Sequence, residues 1–119
     1  MENNLTVTLG GVERKLVIGK IKFLRHLGKL TEQTGFNFFD PTIRTNLSKA
    51  YQSVFFIIEA ALKSNNIDAT LDEVERWVDE LDIDMVTEIQ WYGFSAITGK
   101  SVDELKNAAA QAVTSNGVS

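Results

Sequence analysis

The sequence predicts a mainly α fold in which an N-terminal two-stranded β-hairpin packs on a four- to five-helix domain. Three observations carry this. Leu5-Thr6-Val7-Thr8-Leu9 alternates apolar with polar residues, Gly10-Gly11 turns the chain, and Lys15-Leu16-Val17-Ile18 runs back. Period-two alternation marks half-buried strands, and Gly-Gly supplies the positive φ angles of a tight hairpin turn. After Gly19 the apolar residues recur at helical spacing, punctuated by helix caps, and strand patterning does not return. An isolated hairpin is marginal in water, so this one is expected to lie on the helices.

The first helix is expected from about Lys20 to Gln33. Ile21, Leu24, Leu27 and Leu30 form its apolar stripe, widened by Phe23, and Gly35 ends it as a left-handed cap. Phe36-Asn37-Phe38-Phe39 follows as an aromatic loop. Asp40-Pro41 then reads as the start of a second, longest helix, about Pro41 to Lys63, with Asp40 as N-cap and Pro41 in the first turn. Its broad apolar face includes Ile43, Leu47, Tyr51, Val54, Phe55, Ile58 and Leu62. Phe56 and Ile57 extend that face round the cylinder, so the latter half is either the centre of the core or an interface.

Asn65-Asn66 breaks the helix, and Thr70-Leu71-Asp72-Glu73 reads as a capping box opening a short amphipathic helix with Leu71, Val74, Trp77, Val78 and Leu81. Asp82 or Asp84 starts a fourth helix carrying Met85, Val86, Ile89, Tyr92, Phe94 and Ile97, closed by Gly99. Ser101-Val102-Asp103-Glu104 is a second capping box, and its helix fades near Val113. The domain is therefore expected over 1–113, with a flexible tail over 114–119.

With 119 residues the chain suffices for one domain with a core of its own. It contains no cysteine, which removes disulfides and thiolate chemistry. No signal peptide is visible at Met1-Glu2-Asn3-Asn4, and Val54–Ile58 is far too short an apolar run to span a bilayer, so no membrane association is expected. The net charge of −4 is unevenly spread: residues 1–49 hold 8 of the 12 bases and 4 of the 16 acids, while residues 50–119 hold 4 bases and 12 acids. Bulk acidity disfavours nucleic acid, where phosphate contacts dominate affinity. The two halves are either solvated faces or surfaces that attract one another between copies. The second option places Lys20, Lys22, Arg25 and Lys29 against Asp79, Glu80, Asp82 and Asp84 of the next copy, a head-to-tail homo-oligomer.

Phosphate-loop, dinucleotide, zincin and nucleophile-elbow motifs are all missing. His26 is the only histidine and sits among Lys22 and Arg25, which disfavours its imidazolium and makes a surface or boundary role the ordinary one. The acidic run from Asp72 to Glu88 lacks the central glycine and ligand alternation of a calcium loop, and carboxylates are favoured at helix starts in any case. No cofactor, metal or catalytic residue is expected, and hence no enzyme. Phe36, Phe38 and Phe39, together with Trp91 and Tyr92, are the candidate partner-binding residues; the loop phenylalanines alternatively plug the core from its rim.

Taken in order, the chain resembles the tail assembly chaperones of long-tailed bacteriophages and prophages. The resemblance covers about residues 3–98. It rests on the Leu5-Thr6-Val7 strand, Gly10-Gly11, the Arg14-Lys15-Leu16-Val17-Ile18 return and the Ile21/Leu24/Leu27 helix. It continues through Phe56-Ile57-Ile58-Glu59-Ala60-Ala61-Leu62 and Thr70-Leu71-Asp72-Glu73-Val74-Glu75 into Trp77-Val78-Asp79. The resemblance implies a non-enzymatic factor of the bacterial host cytoplasm that binds the tape measure protein, keeps it soluble, helps recruit the tail tube protein, and is absent from the mature virion. It also implies ring- or spiral-forming copies, and transfers no site residues. The competing classes are a small helical protein–protein adaptor or regulator, and an enzyme whose acidic cluster holds a divalent metal.

Overall fold

The structure, a computed structural model, describes residues 4–43 and 45–118, with side chains as far as residue 110. Strands β1 (Asn4–Leu9) and β2 (Val12–Val17) pair antiparallel from Asn4↔Val17 to Leu9↔Val12. The two-residue turn holds Gly10 at φ 63° and Gly11 at φ 79°, the geometry that matches strand twist and that only glycine adopts freely. A Cβ on Gly10 would also strike the indole of Trp77, so the same glycine lets the turn lie flat on that ring. Arg14 stacks over the other part of this contact, its guanidinium carbon 4.4 Å from the Trp77 ring centre, and its Nε donates to the Leu9 carbonyl at 3.2 Å. The hairpin thus rests on the helices, as its marginal intrinsic stability requires.

Five helices follow among the described residues: α1 (Ile21–Thr34), α2 (Leu47–Ser64), α3 (Leu71–Asp79), α4 (Ile83–Thr98) and α5 (Val102–Val118). The mainly α class with its N-terminal hairpin is as the sequence predicts. Helix α2 is the centre: α1, α3, α4 and β2 all pack on it, and α5 packs on α4. From Ser53 to Leu62 only Phe55 of α2 is not buried. Glu59, inside this stretch, is paired through Oε1 with Lys63 at 3.3 Å. The flexible tail expected over 114–119 falls at the end of α5, where side chains from 111 onward, and Ser119 altogether, lie outside the described residues.

The α1 stripe differs from its sequence reading. Phe23, Leu27 and Leu30 are buried, whereas Ile21 is 78% exposed and Leu24 40%. Steps of three residues drift by about 60° each round a 3.6-residue helix. The core takes the i, i+4, i+7 set, and the earlier members of the drifting set are left outside.

The second correction concerns Asp40-Pro41. They do not open α2. Residues 41–43 and 45 lie in turns, and α2 begins at Leu47 with Asn46 as N-cap, its side chain accepting from the Lys49 N–H at 3.2 Å. Asp40 instead collects three donors: the Thr42 N–H at 2.9 Å, the Thr42 hydroxyl at 2.6 Å and the Lys49 ammonium at 2.7 Å. An Asx-type turn closed in this way competes with helix, and buried Ile43 anchors it to the core. Leu47, which the sequence places on the apolar face of the helix, is 88% exposed at the first position of the shortened helix.

The Lys49 ammonium and the Thr42 donors hold the Asp40 carboxyl well below the usual carboxylate range. Because the folded value is depressed, this contribution to stability is full above the unfolded value of 3.8 and is lost as pH falls towards the folded one. Lys49→Met is therefore expected to flatten the loss of stability between about pH 4 and pH 2, measured by urea titrations at each pH. An unchanged pH profile would count against the Asp40–Lys49 pairing.

The remaining punctuation follows the sequence. Thr70 and Glu73 form a complete capping box, Glu73 N–H to Thr70 Oγ1 at 3.2 Å and Thr70 N–H to Glu73 Oε1 at 3.3 Å. Asp82 caps α4 through the Met85 N–H at 2.9 Å. Ser101 Oγ accepts the Glu104 N–H at 3.1 Å at the start of α5.

Candidate protein-binding groove

Helices α1 and α4 both pack on α2, and a trough runs between the outer face of α1 and the C-terminal end of α4. It consists of two adjoining hollows of about 260 Å³ each that share Leu24. One is walled by Ile18, Ile21 and Ala96 and ends at Lys20 and Lys100. The other is walled by Leu27, Thr31, Phe36, Phe38 and Ile97, with Phe39 at its rim. Gly28 lies between Leu24 and Thr31 on this face, and the space beside its Cα is open. From Ile21 to Thr31 the α1 wall is about 15 Å long, room for roughly three turns of a partner helix.

The aromatic loop divides its labour. Phe38 is buried and meets Phe94 edge-on with ring centres 6.1 Å apart. Phe36 is half-buried and stands edge-on to Phe38 at 4.9 Å and to Phe56 at 5.4 Å. These two plug the rim of the core and line the trough. Phe39 is 73% exposed. The Asn37 side chain accepts the Phe39 N–H at 2.9 Å, and the Asp40 N–H bonds the Asn37 carbonyl at 3.2 Å, a closed turn that presents Phe39 outward. Trp91 and Tyr92, half-buried on α4, do not line the trough. The structure thus joins the three loop phenylalanines in one site and leaves the other two aromatics apart from it.

Of the basic residues, Lys20 lines the trough, Lys22 donates to Asn66 Oδ1, and Arg25 and Lys29 are exposed on α1. His26 lies among them. Burial first, then the positive charges of Lys29, Lys63, Lys22 and Arg25, push its imidazole below the usual value, which favours the neutral form near pH 7. The acidic residues sit at helix ends: Asp79 closes α3 and accepts the Tyr51 hydroxyl at 3.0 Å, Glu80 is the α3 C-cap, Asp82 caps α4 and Asp84 lies in its first turn. Burial and Asp79 together raise the Tyr51 phenol above its usual value. Among the described residues no group of three metal-ligating side chains converges.

Gly28, Thr31 and Lys100 were not singled out by sequence reasoning, and Ile97 only as part of the apolar face of its helix. A signal existed for their neighbours: Phe23, Leu27 and Leu30 complete a core face by themselves, which leaves Ile21 and Leu24 surplus on the same helix.

No family model, curated protein or solved structure matches this chain.

Proposed function

We propose that this chain is a binding protein that takes an amphipathic helical segment of a partner into the α1–α4 trough, as a tail assembly chaperone of a long-tailed phage. On this reading the partner is the tape measure protein, which is kept soluble in the host cytoplasm until tail tube protein assembles round it. The chain itself carries out no chemistry and does not remain in the mature virion. The observation that supports the reading best is Ile21, Leu24 and Phe39 exposed along one trough. Grooves of this kind recognise apolar anchors at i, i+3 and i+4 on a partner helix. The phage assignment is supported by the resemblance alone.

Co-expression with a candidate tape measure protein tests it. The partner is expected to be soluble and to co-purify with the wild-type chain, and to be lost with Phe39→Glu, which removes an exposed anchor and leaves the core intact. An insoluble partner beside soluble wild-type chain would overturn the phage reading. Undiminished co-purification by Phe39→Glu would overturn the trough.

A further inference from the structure

The two edges of the hairpin are unlike. Gly10-Gly11 is a two-residue turn, so the flanking pair Leu9↔Val12 exchanges both of its backbone hydrogen bonds. In an antiparallel ladder such pairs recur at every second position. Val7↔Arg14 and Leu5↔Leu16 are therefore bonded across the hairpin. The backbone N–H and C=O groups of Asn4, Thr6 and Thr8 point away from β2, and those of Glu13, Lys15 and Val17 point away from β1.

The β2 edge is engaged and guarded. Its Lys15 C=O accepts the Asn65 Nδ2 at 3.1 Å, β2 packs on α2, and the strand carries Glu13, Arg14 and Lys15. The β1 edge is open. Thr6 and Thr8 are exposed, and among the described residues their outward backbone groups have no backbone partner. Edge strands are ordinarily protected from pairing by charge, proline or a bulge. The Asn-Leu-Thr-Val-Thr-Leu run of β1 has none of these, and its register with β2 is unbroken over all six residues. The strand is also fixed in place: Val7 and Leu9 are buried beneath it, and the turn rests on Trp77.

We infer that the open edge of β1 takes an extended segment of another protein as a third strand. Only an extended backbone matches the spacing of the groups on Asn4, Thr6 and Thr8; main-chain pairing supplies the affinity and alternate side chains the selectivity. On the inner face the incoming residues continue the apolar row of Leu5, Val7 and Leu9, of which Leu5 is only half-buried. On the outer face they stand beside Thr6 and Thr8. The segment that fits is about five residues of alternating apolar and β-branched polar character. A second copy pairing β1 with β1 brings its own helical body, 28 Å across its narrow dimensions, under the same face of the sheet; an extended segment brings none. The inference stands apart from the proposed function, because β1 lines neither hollow of the α1–α4 trough.

A capped peptide of alternating threonine and valine, with a lysine at each end, is the probe, titrated into the isotope-labelled full chain and followed by amide NMR. The amide protons of Thr6 and Thr8 are expected to shift downfield together, while those of Leu5 and Val7, already bonded to β2, move least. With peptide at about ten times its Kd, hydrogen exchange of these two amides is expected to slow about tenfold. Thr6→Pro deletes one outward donor and no bond of the hairpin, and is expected to abolish the response at Thr8. Circular dichroism matching wild type establishes that this variant folds; if it does not, Thr6→Lys combined with Thr8→Lys, which restores a guard of charge, is expected to abolish the response at both positions. Absence of any shift at Thr6 and Thr8 with millimolar peptide would overturn the inference. So would an equal response to the fully N-methylated peptide, which has no donors, or an undiminished response in the folded variant. Shifts of the same two amides with protein concentration alone would place a second copy on this edge and overturn it as well.

Discussion

Truncating Ile58 to Ala is expected to lower the free energy of unfolding by about 2–5 kcal/mol. Ile58 has no exposed surface and sits on the one helix against which the hairpin and three other helices pack. The cost combines the lost transfer energy of the removed carbons with the cavity left in a site walled on several sides, where collapse is limited. Val54→Ala, at a nearly closed position on the same helix, is expected to cost about 2 kcal/mol, since two methyl groups are involved. Leu47→Ala supplies the contrast. That side chain stands in solvent, so its truncation is expected within about 0.5 kcal/mol of wild type for the monomer. Urea denaturation of dilute protein measures all three. A loss below about 1 kcal/mol at Ile58, or above it at Leu47, would contradict the packing of α2.

Gly93→Val is expected to be the most damaging single substitution in α4, and Gly93→Ala to destabilise in spite of its better helix propensity. Gly93 is buried where α4 crosses α2. A Cβ there would lie 2.7 Å from Cγ1 and 3.1 Å from Cγ2 of Ile57, with Cδ1 also in the way. Ile57 is fully buried and β-branched, so its χ1 has little freedom to swing aside. Alanine gains up to about 1 kcal/mol of propensity. Overpacking a closed core costs about 1–3 kcal/mol and wins, because the obstructing atoms have no free space to enter. Valine adds two more methyl groups to the same gap. Pairing Gly93→Ala with Ile57→Val, which removes Cδ1, is expected to recover part of the loss, and the double-mutant cycle should show a stabilising coupling. Simple additivity of the two losses would mean that the helices do not meet at this point.

Local chemistry was legible from the residues. The hairpin and its register follow from alternation and Gly10-Gly11. The α3 start follows from Thr70 and Glu73, and the α4 start from Asp82, because each cap is satisfied within four residues of itself. Where two local signals competed, the sequence was ambiguous. Asp40-Pro41 is equally good punctuation for a helix start and for a turn. Asn46 is also a good N-cap, and the turn prevailed through a Lys49 side chain nine residues away and the burial of Ile43.

The candidate groove was legible only in part. Phe36, Phe38 and Phe39 form one aromatic run in the sequence. That two of them enter the core rim and one points outward depends on Phe56 and Phe94 being in place to receive edges.

By itself the sequence determined the fold class, the hairpin, most helix ends and the separation of charge between the two halves. These rest on propensity, caps and counts that need no partner further along the chain. The tertiary structure alone decided which apolar residues are surplus. The stripes on α1 and on the first turns of α2 hold more hydrophobic residues than their neighbours can cover. The position of α4, brought close to α2 by Gly93, leaves Ile21, Leu24 and Phe39 along one open trough, while Leu47, Tyr51 and Leu71 stay uncovered on α2 and α3. Burial is a property of what stands opposite a side chain, and helical periodicity reports only the side chain's own direction.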